Sequence, residues 1–282
     1  MSTERKYYNT NKIMPTTEQL DEMGRVLKFF PSDTKHPDTL SIQQISEFNR
    51  LGYINKIKIF NETEIDQHRQ YFDSLLHDVL SQGGSSYSII SAHMKFGNVY
   101  DLLKHPRIVS CVRDILGEDV IGWGAHYFCK MPKDNKTVGW HQDAGYWPLT
   151  PSKTITVWLA IDDATIENGA MRFVAGSHNS GHLISRQSDP NENSVLGQIV
   201  ENVEQYGDIV ENELKAGEIS IHTDLLLHGS KANPSSNRRC GLTLRYCTPD
   251  VQASFRWDRE GVVVSGIDKT GQWGNPARPY ND

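Results

Sequence analysis

Two short segments carry the residue types that bind a transition metal: Gly-Trp-His-Gln-Asp-Ala-Gly-Tyr-Trp at 139–147 and Leu-Leu-His-Gly-Ser at 226–230. In an extended backbone successive side chains alternate faces, so His141 and Asp143 point one way and Gln142 the other. One neutral imidazole and one carboxylate at that spacing can take adjacent positions on a single metal. A distant histidine, His228, then completes a two-histidine, one-carboxylate face with three positions left open, the arrangement of non-haem Fe(II) oxygenases. The H-x-D pattern alone is weak, because the sequence holds a second copy, His222-Thr223-Asp224, just before His228. A set built from His222, Asp224 and His228 would crowd one hairpin and leave residue 141 without a role. His141, Asp143 and His228 are therefore the expected ligands. The other set, and plain buried histidines, stand as competing readings.

Positive charge follows at a useful distance. Arg239 lies eleven residues after His228, at the head of Cys-Gly-Leu-Thr-Leu-Arg-Tyr-Cys. A guanidinium stays charged when buried and its planar fork matches the two oxygens of a carboxylate. Ser230, on the same face as His228, could donate a hydroxyl to that carboxylate. If Arg239 points inward, then Gly241, Thr243 and Arg245 share its face while Leu242, Leu244 and Tyr246 face away. An inward Arg245 needs a partner, since an unpaired buried charge is costly. Either a protein carboxylate or an anionic group of a substrate could serve. Tyr146 and Trp147 offer aromatic walls and a hydroxyl for the same substrate, or else they pack a core.

These residues must be held by a scaffold, and its outline is legible. Ser41 with Gln44 forms a capping-box pattern opening the helix Ile-Gln-Gln-Ile-Ser-Glu-Phe-Asn-Arg-Leu, which Gly52 is placed to stop. Residues 53–60 alternate as a half-buried strand, Asn61 caps a helix through about residue 80, and a third helix is expected over 99–116. Short runs rich in Val, Ile, Thr, Tyr and Trp follow at 119–131, 153–162, 170–175, 208–214, 217–222, 225–230, 239–247 and 261–265. Helices first and strands afterwards predict an α+β, mainly β protein: a double-sheet jelly roll with the N-terminal helices packed outside. Residues 1–40 read as a polar N-terminal extension and 41–282 as one domain. The polar insertion 179–208 is either a lid over the site or a surface loop.

Composition narrows the function classes. The 282 residues carry 29 Lys and Arg against 35 Asp and Glu, a net charge of -6. That balance, with no basic aromatic stripe, disfavours nucleic acid as a partner. No run approaches the roughly 20 apolar residues of a membrane-spanning helix. The polar first twelve residues lack the apolar core of a secretory signal. Four scattered cysteines without a C-x-x-C predict reduced thiols and a cytoplasmic protein.

Taken together, His-Gln-Asp at 141–143, Trp-Leu-Ala-Ile-Asp-Asp-Ala at 158–164, the stretch Glu167 to His178, His-Gly-Ser at 228–230 and Arg239 occur in an order and spacing that resembles the phytanoyl-CoA dioxygenase family. The likeness runs over roughly residues 41–250. It implies a double-stranded β-helix, cupin-like, with Fe(II) at one open end held by His141, Asp143 and His228. It also implies 2-oxoglutarate and O2 as cosubstrates, with Arg239 and Ser230 on the distal carboxylate and Thr156 and Trp158 against the cosubstrate pocket. His126 is the implied polar contact from the preceding strand. The reaction implied is oxidation of an unactivated C–H bond in a small molecule, with release of succinate and CO2. The family's halogenases replace the metal-binding carboxylate by a small residue, so Asp143 argues for hydroxylation or another oxidation. Two other classes compete: a cupin-type isomerase or hydrolase, and a non-catalytic jelly-roll binding module. Neither requires Arg239 or the Glu167–His178 segment.

Overall fold

The computed structural model describes residues 12–282; residues 1–11 of the expected extension lie outside them. A six-stranded antiparallel sheet runs in the order Tyr53–Lys58, Glu218–Thr223, Thr154–Ala160, Arg239–Cys247, Val120–Lys130, Val262–Ser265. A four-stranded sheet orders Val138–His141, His228–Ser230, Met171–Val174 and Ile209–Asn212. The chain passes repeatedly between the two, giving the jelly roll that the strand grammar predicts.

Alternation along the strands decides what each face meets. Ile155, Val157 and Leu159 join Leu242, Leu244 and Tyr246 in one buried cluster with Phe72, Leu75, Leu103, Ile108 and Val112 of the helices. The helices thus cover the outer face of the large sheet, and each fully buried aliphatic or aromatic side chain there contributes about 1.5–3 kcal/mol. The intervening residues, Thr156, Trp158, Thr243 and Arg245, turn to the inner face and line a cavity between the sheets.

Local signals account for the helix ends. Ser41 Oγ accepts the Gln44 amide at 3.1 Å while Gln44 returns a bond to the Ser41 amide at 2.8 Å, and Gly52 closes the Ile42–Leu51 helix with φ 84°. Asn61 and Glu64 build the same box at the start of Glu62–Ser81. The single helix expected over 99–116 is instead two, Gly97–Leu103 and Pro106–Leu116. Pro106 has no amide hydrogen to donate back, and it forces His105 into extended backbone at ψ 124°.

The segment before residue 41 is docked from Lys12 onward. The buried Asp114 carboxylate accepts the amides of Asp38, Thr39 and Leu40 at 2.7–2.8 Å. Arg25 donates to the carbonyls of Ala144 and Trp147 at 2.6 and 2.9 Å, which ties the arm to the loop that follows His141.

Candidate metal centre

His141 ends its strand directly across from His228 in the small sheet, with the two rings 4.1 Å apart between centroids. Asp143 opens the single turn that follows. Gln142 points the other way, as alternation requires. Its side chain donates to the carbonyls of Gly181 and Leu225 and accepts the Leu183 amide, which clamps the H-x-D segment from behind. Ser177 Oγ accepts the Leu227 amide at 2.9 Å and holds the approach to His228. The Glu167–His178 stretch therefore supports the centre from behind, with Met171 reaching the cavity wall.

One ligand atom each from His141, Asp143 and His228 lies within 4.8 Å of the others, all three residues being buried. Nδ1 of His141 is 2.8 Å from the Gly139 carbonyl and Nδ1 of His228 is 2.9 Å from the Leu226 carbonyl. Each carbonyl accepts a hydrogen bond from Nδ1–H, so Nε2 carries the free lone pair aimed inward, the supporting contact that metal-binding histidines use. Burial alone would raise the Asp143 carboxyl. The imidazoles of His222, His228 and His141 and the Arg245 charge outweigh burial and hold it well below the ordinary carboxylate range. Two neutral imidazoles and one carboxylate, open on one side, fit a divalent iron.

Thr156, expected against the cosubstrate, has a second contact: its hydroxyl donates to Asp143 Oδ2 at 3.0 Å. The oxygen it holds is then fixed away from the position nearest His141. Groups that orient a ligand in this way typically carry 10–100-fold in metal affinity. Thr156→Val, which keeps the shape and deletes the donor, is expected to weaken Fe(II) binding about tenfold or more. Equilibrium dialysis would show it, and an unchanged affinity would mean that the hydroxyl does not steer Asp143.

The competing H-x-D copy does not form a metal set. Asp224 is turned to Ser152 Oγ at 2.6 Å and to Thr223, and burial pushes its carboxyl up to about 7. His222 does face the cavity, with Nε2 3.8 Å from Asp143 Oδ2 and neither ring nitrogen hydrogen-bonded.

A cavity of about 240 Å³ opens beside the three ligand residues. Arg239 is 2% exposed at one end, lying over Trp158 at 5.6 Å, and its Nε has no hydrogen-bond partner. Ser230 Oγ, also buried in the cavity wall, has none either. Orphaned buried donors of this kind are costly unless a ligand satisfies them, and both suit a carboxylate. Gly241 is required here, because any Cβ at that position would collide with the Trp158 indole. His126 lines the cavity with its ring stacked on Phe128 at 4.2 Å and Nε2 3.3 Å from the Tyr87 carbonyl.

On the substrate side the expectation for Tyr146 needs revision. The Tyr146 hydroxyl is taken by the insertion, accepting the Gln198 amide at 2.8 Å, so it is not a free handle. Its ring stands edge-on to His141 at 5.9 Å. Trp147 serves both readings: it packs against Trp123 at 4.6 Å and also faces the cavity. No protein carboxylate pairs with Arg245 among the described residues. The guanidinium lies 5.1 Å from the Trp147 ring and 5.9 Å from Trp123, with Nε unbonded. The insertion 179–208 runs beside the His141 strand, bonding it through Val200 to Trp140, and contributes Leu196 to the cavity wall.

Sequence reading missed the other end of the wall. Lys12 pairs with the buried Glu260 at 2.9 Å, donates to the Trp123 carbonyl, and lies 4.8 Å over the Trp257 ring. Nothing periodic surrounds Lys12 in the chain, so only the long-range contact reveals it.

Burial also makes the centre sensitive to acid. It holds His141 and His228 below the ordinary imidazole range, brings His93 down to about 4, and, with Arg245, brings His126 down to about 3. Such groups stay neutral in the fold but take protons in the unfolded chain below about pH 6.5. Their contribution is therefore complete above that pH and is lost as the pH falls, by up to about 1.4 kcal/mol per pH unit for each histidine. The melting temperature of metal-free protein is expected to drop steadily from about pH 7 to about pH 5. A flat profile over that window would contradict neutral burial of these rings.

Comparison with known proteins agrees with this geometry. A sequence model described as phytanoyl-CoA dioxygenase matches residues 18–241. The phytanoyl-CoA dioxygenase domain-containing protein 1 homolog of Dictyostelium discoideum is 29% identical, over 94% of this chain and 91% of that one. A probable alpha-ketoglutarate-dependent hypophosphite dioxygenase of Stutzerimonas stutzeri is 28% identical, over 62% of this chain and 63% of its own. A solved structure described as the apo form of the non-heme monooxygenase ThoJ superposes with a TM-score of 0.70 at 27% identity, covering 84% of this chain and 88% of that one.

Proposed function

Because the chain belongs to the phytanoyl-CoA dioxygenase family, whose enzymes are oxidoreductases using Fe(II) and 2-oxoglutarate, we propose that it oxidises an unactivated C–H bond of a small molecule, with His141, Asp143 and His228 as the iron ligands. The observation that carries this reading is one cavity holding both the ligand triad and the unpartnered donors of Arg239 and Ser230. A cupin-type isomerase or hydrolase gives no reason for that second feature, and a binding module gives no reason for either.

Fe(II) and 2-oxoglutarate together would supply, with O2, the oxidising power for the C–H bond and release succinate and CO2. The chain's own part is binding, orientation and exclusion of water. Gly139 and Leu226 hold the two imidazoles in the tautomer that presents Nε2. Thr156 fixes Asp143, and Arg239, lying over the Trp158 indole, would with Ser230 hold the far carboxylate of the cosubstrate. His126 and Trp158 narrow the cosubstrate channel. Tyr146 and Trp147 wall the half of the cavity where the substrate's carbon must lie close to the metal. Positioning of that kind converts an encounter into a committed complex.

The test is an anaerobic titration of metal-free protein with Fe(II) and then 2-oxoglutarate, following the weak visible band of the chelate. Appearance of the band supports the reading. Stoichiometric iron binding with no band would move the isomerase or hydrolase reading forward.

A further inference from the structure

Cross-strand register places Arg245 opposite Thr156, the residue that holds Asp143, and Thr156 in turn opposite His222. Arg245 therefore lies at the level of the metal ligands. Arg239 stands six residues away on the same strand, opposite Lys130. At about 3.3 Å per residue the two α-carbons are about 20 Å apart, so the two arginines serve different ends of the cavity.

The charges within the cavity do not balance without a further anion. A divalent metal is offset by a dianionic cosubstrate, and Asp143 offsets one guanidinium. Lys12 is already paired with Glu260. One arginine charge is left over, and Arg245 is the one at the substrate end. The Trp123 and Trp147 indoles, 4.6 Å apart, stand together on one side of it, attracting the cation through their rings without accepting its N–H groups as a carboxylate would. The guanidinium is half-buried, its Nε unbonded, and its edge is left for an acceptor.

We propose that Arg245, beside the indoles of Trp123 and Trp147, is the subsite for one anionic group of the substrate, a carboxylate or a phosphorus oxyanion, separate from the cosubstrate seat at Arg239. The proposal rests on the dioxygenase reading. The substrate is then a small anion whose charged group is held at Arg245 while its carbon skeleton spans the short distance to the metal. A neutral molecule of the same size would cover the half-buried guanidinium and leave it unpaired.

The experiment uses full-length protein loaded with redox-inert Ni(II) and saturated with 2-oxoglutarate. The probes are two matched pairs: propionate with propionamide, and methylphosphonate with dimethyl sulfone. Binding is read by calorimetry and by tryptophan emission, which the indoles beside Arg245 should report. The wild type is expected to bind each anion about tenfold or more tightly than its neutral counterpart, without competition from added 2-oxoglutarate. Arg245→Gln should erase that preference while leaving 2-oxoglutarate affinity within about threefold. No preference in the wild type, or a preference that survives in Arg245→Gln, overturns the proposal. So does a tenfold loss of 2-oxoglutarate affinity in that variant, since Arg245 would then serve the cosubstrate. Should Arg245→Gln not fold, competition between the anions and 2-oxoglutarate in the wild type decides the matter: competition overturns the proposal and independence supports it. A wild type that binds no 2-oxoglutarate brings down the dioxygenase reading itself, and this proposal with it.

Discussion

His228→Ala is expected to lose Fe(II) binding by at least two orders of magnitude, about 10²-fold or more, and with it the visible band and all consumption of 2-oxoglutarate. The estimate is a lower bound, because changes to groups that merely orient a ligand already cost 10–100-fold. The imidazole is one of three donors, and its Nε2 is held in position by the Leu226 carbonyl behind Nδ1. The fold should survive, since the ring faces a cavity and its removal leaves the helix-backed core untouched. Iron binding by inductively coupled plasma spectrometry after gel filtration would read the loss. The matched control is His222→Phe, which removes a ring equally buried and only a few ångströms from Asp143. If the three ligands are His141, Asp143 and His228, iron stays bound in His222→Phe. Loss of iron in that variant, with retention in His141→Ala, would reinstate the rival copy of the motif.

That rival shows what could be read from the sequence and what could not. Both H-x-D copies have the same local spacing, and alternation places each histidine with its carboxylate. Their difference lies in partners distant along the chain. Asp224 is claimed by Ser152, seventy-two residues away, and Asp143 by Thr156 on a neighbouring strand. The capping boxes at Ser41 and Asn61 were legible because donor and acceptor stand three residues apart. The inner and outer faces of Arg239–Cys247 were legible because a strand has a period of two. Where prediction failed, a non-local contact or a single backbone restriction decided. Pro106 split a helix whose apolar pattern continued across it. Arg25 and Lys12 docked an arm that has no periodicity of its own. For Arg245 the sequence left a protein carboxylate and a substrate anion both open, and only the packed structure shows indoles beside it and no carboxylate paired with it among the described residues.

The largest effect on the cosubstrate is expected at the other arginine. Arg239→Ala should raise the 2-oxoglutarate concentration needed for half-maximal turnover by about 30-fold to several thousand-fold, the range set by 2–5 kcal/mol for truncating one partner of a buried, hydrogen-bonded charge pair. Part of that loss is direct, since a charged fork against a carboxylate gives two strong bonds. The rest is the cost of leaving the carboxylate in a site closed by Trp158, where water cannot replace the guanidinium. Ser230 supplies only a neutral hydroxyl and cannot compensate. Iron affinity should stay near the wild-type value, because no ligand atom or its supporting bond involves Arg239. Steady-state 2-oxoglutarate dependence and iron dialysis, measured on the same preparation, separate the two effects. Arg239→Lys keeps a charge but loses the fork, so it should recover only part of the affinity. An unchanged 2-oxoglutarate requirement in Arg239→Ala would remove the anchor on which the cosubstrate assignment depends. The buried guanidinium would then have to be explained by the substrate, with Arg245 left as the second contact to the same molecule.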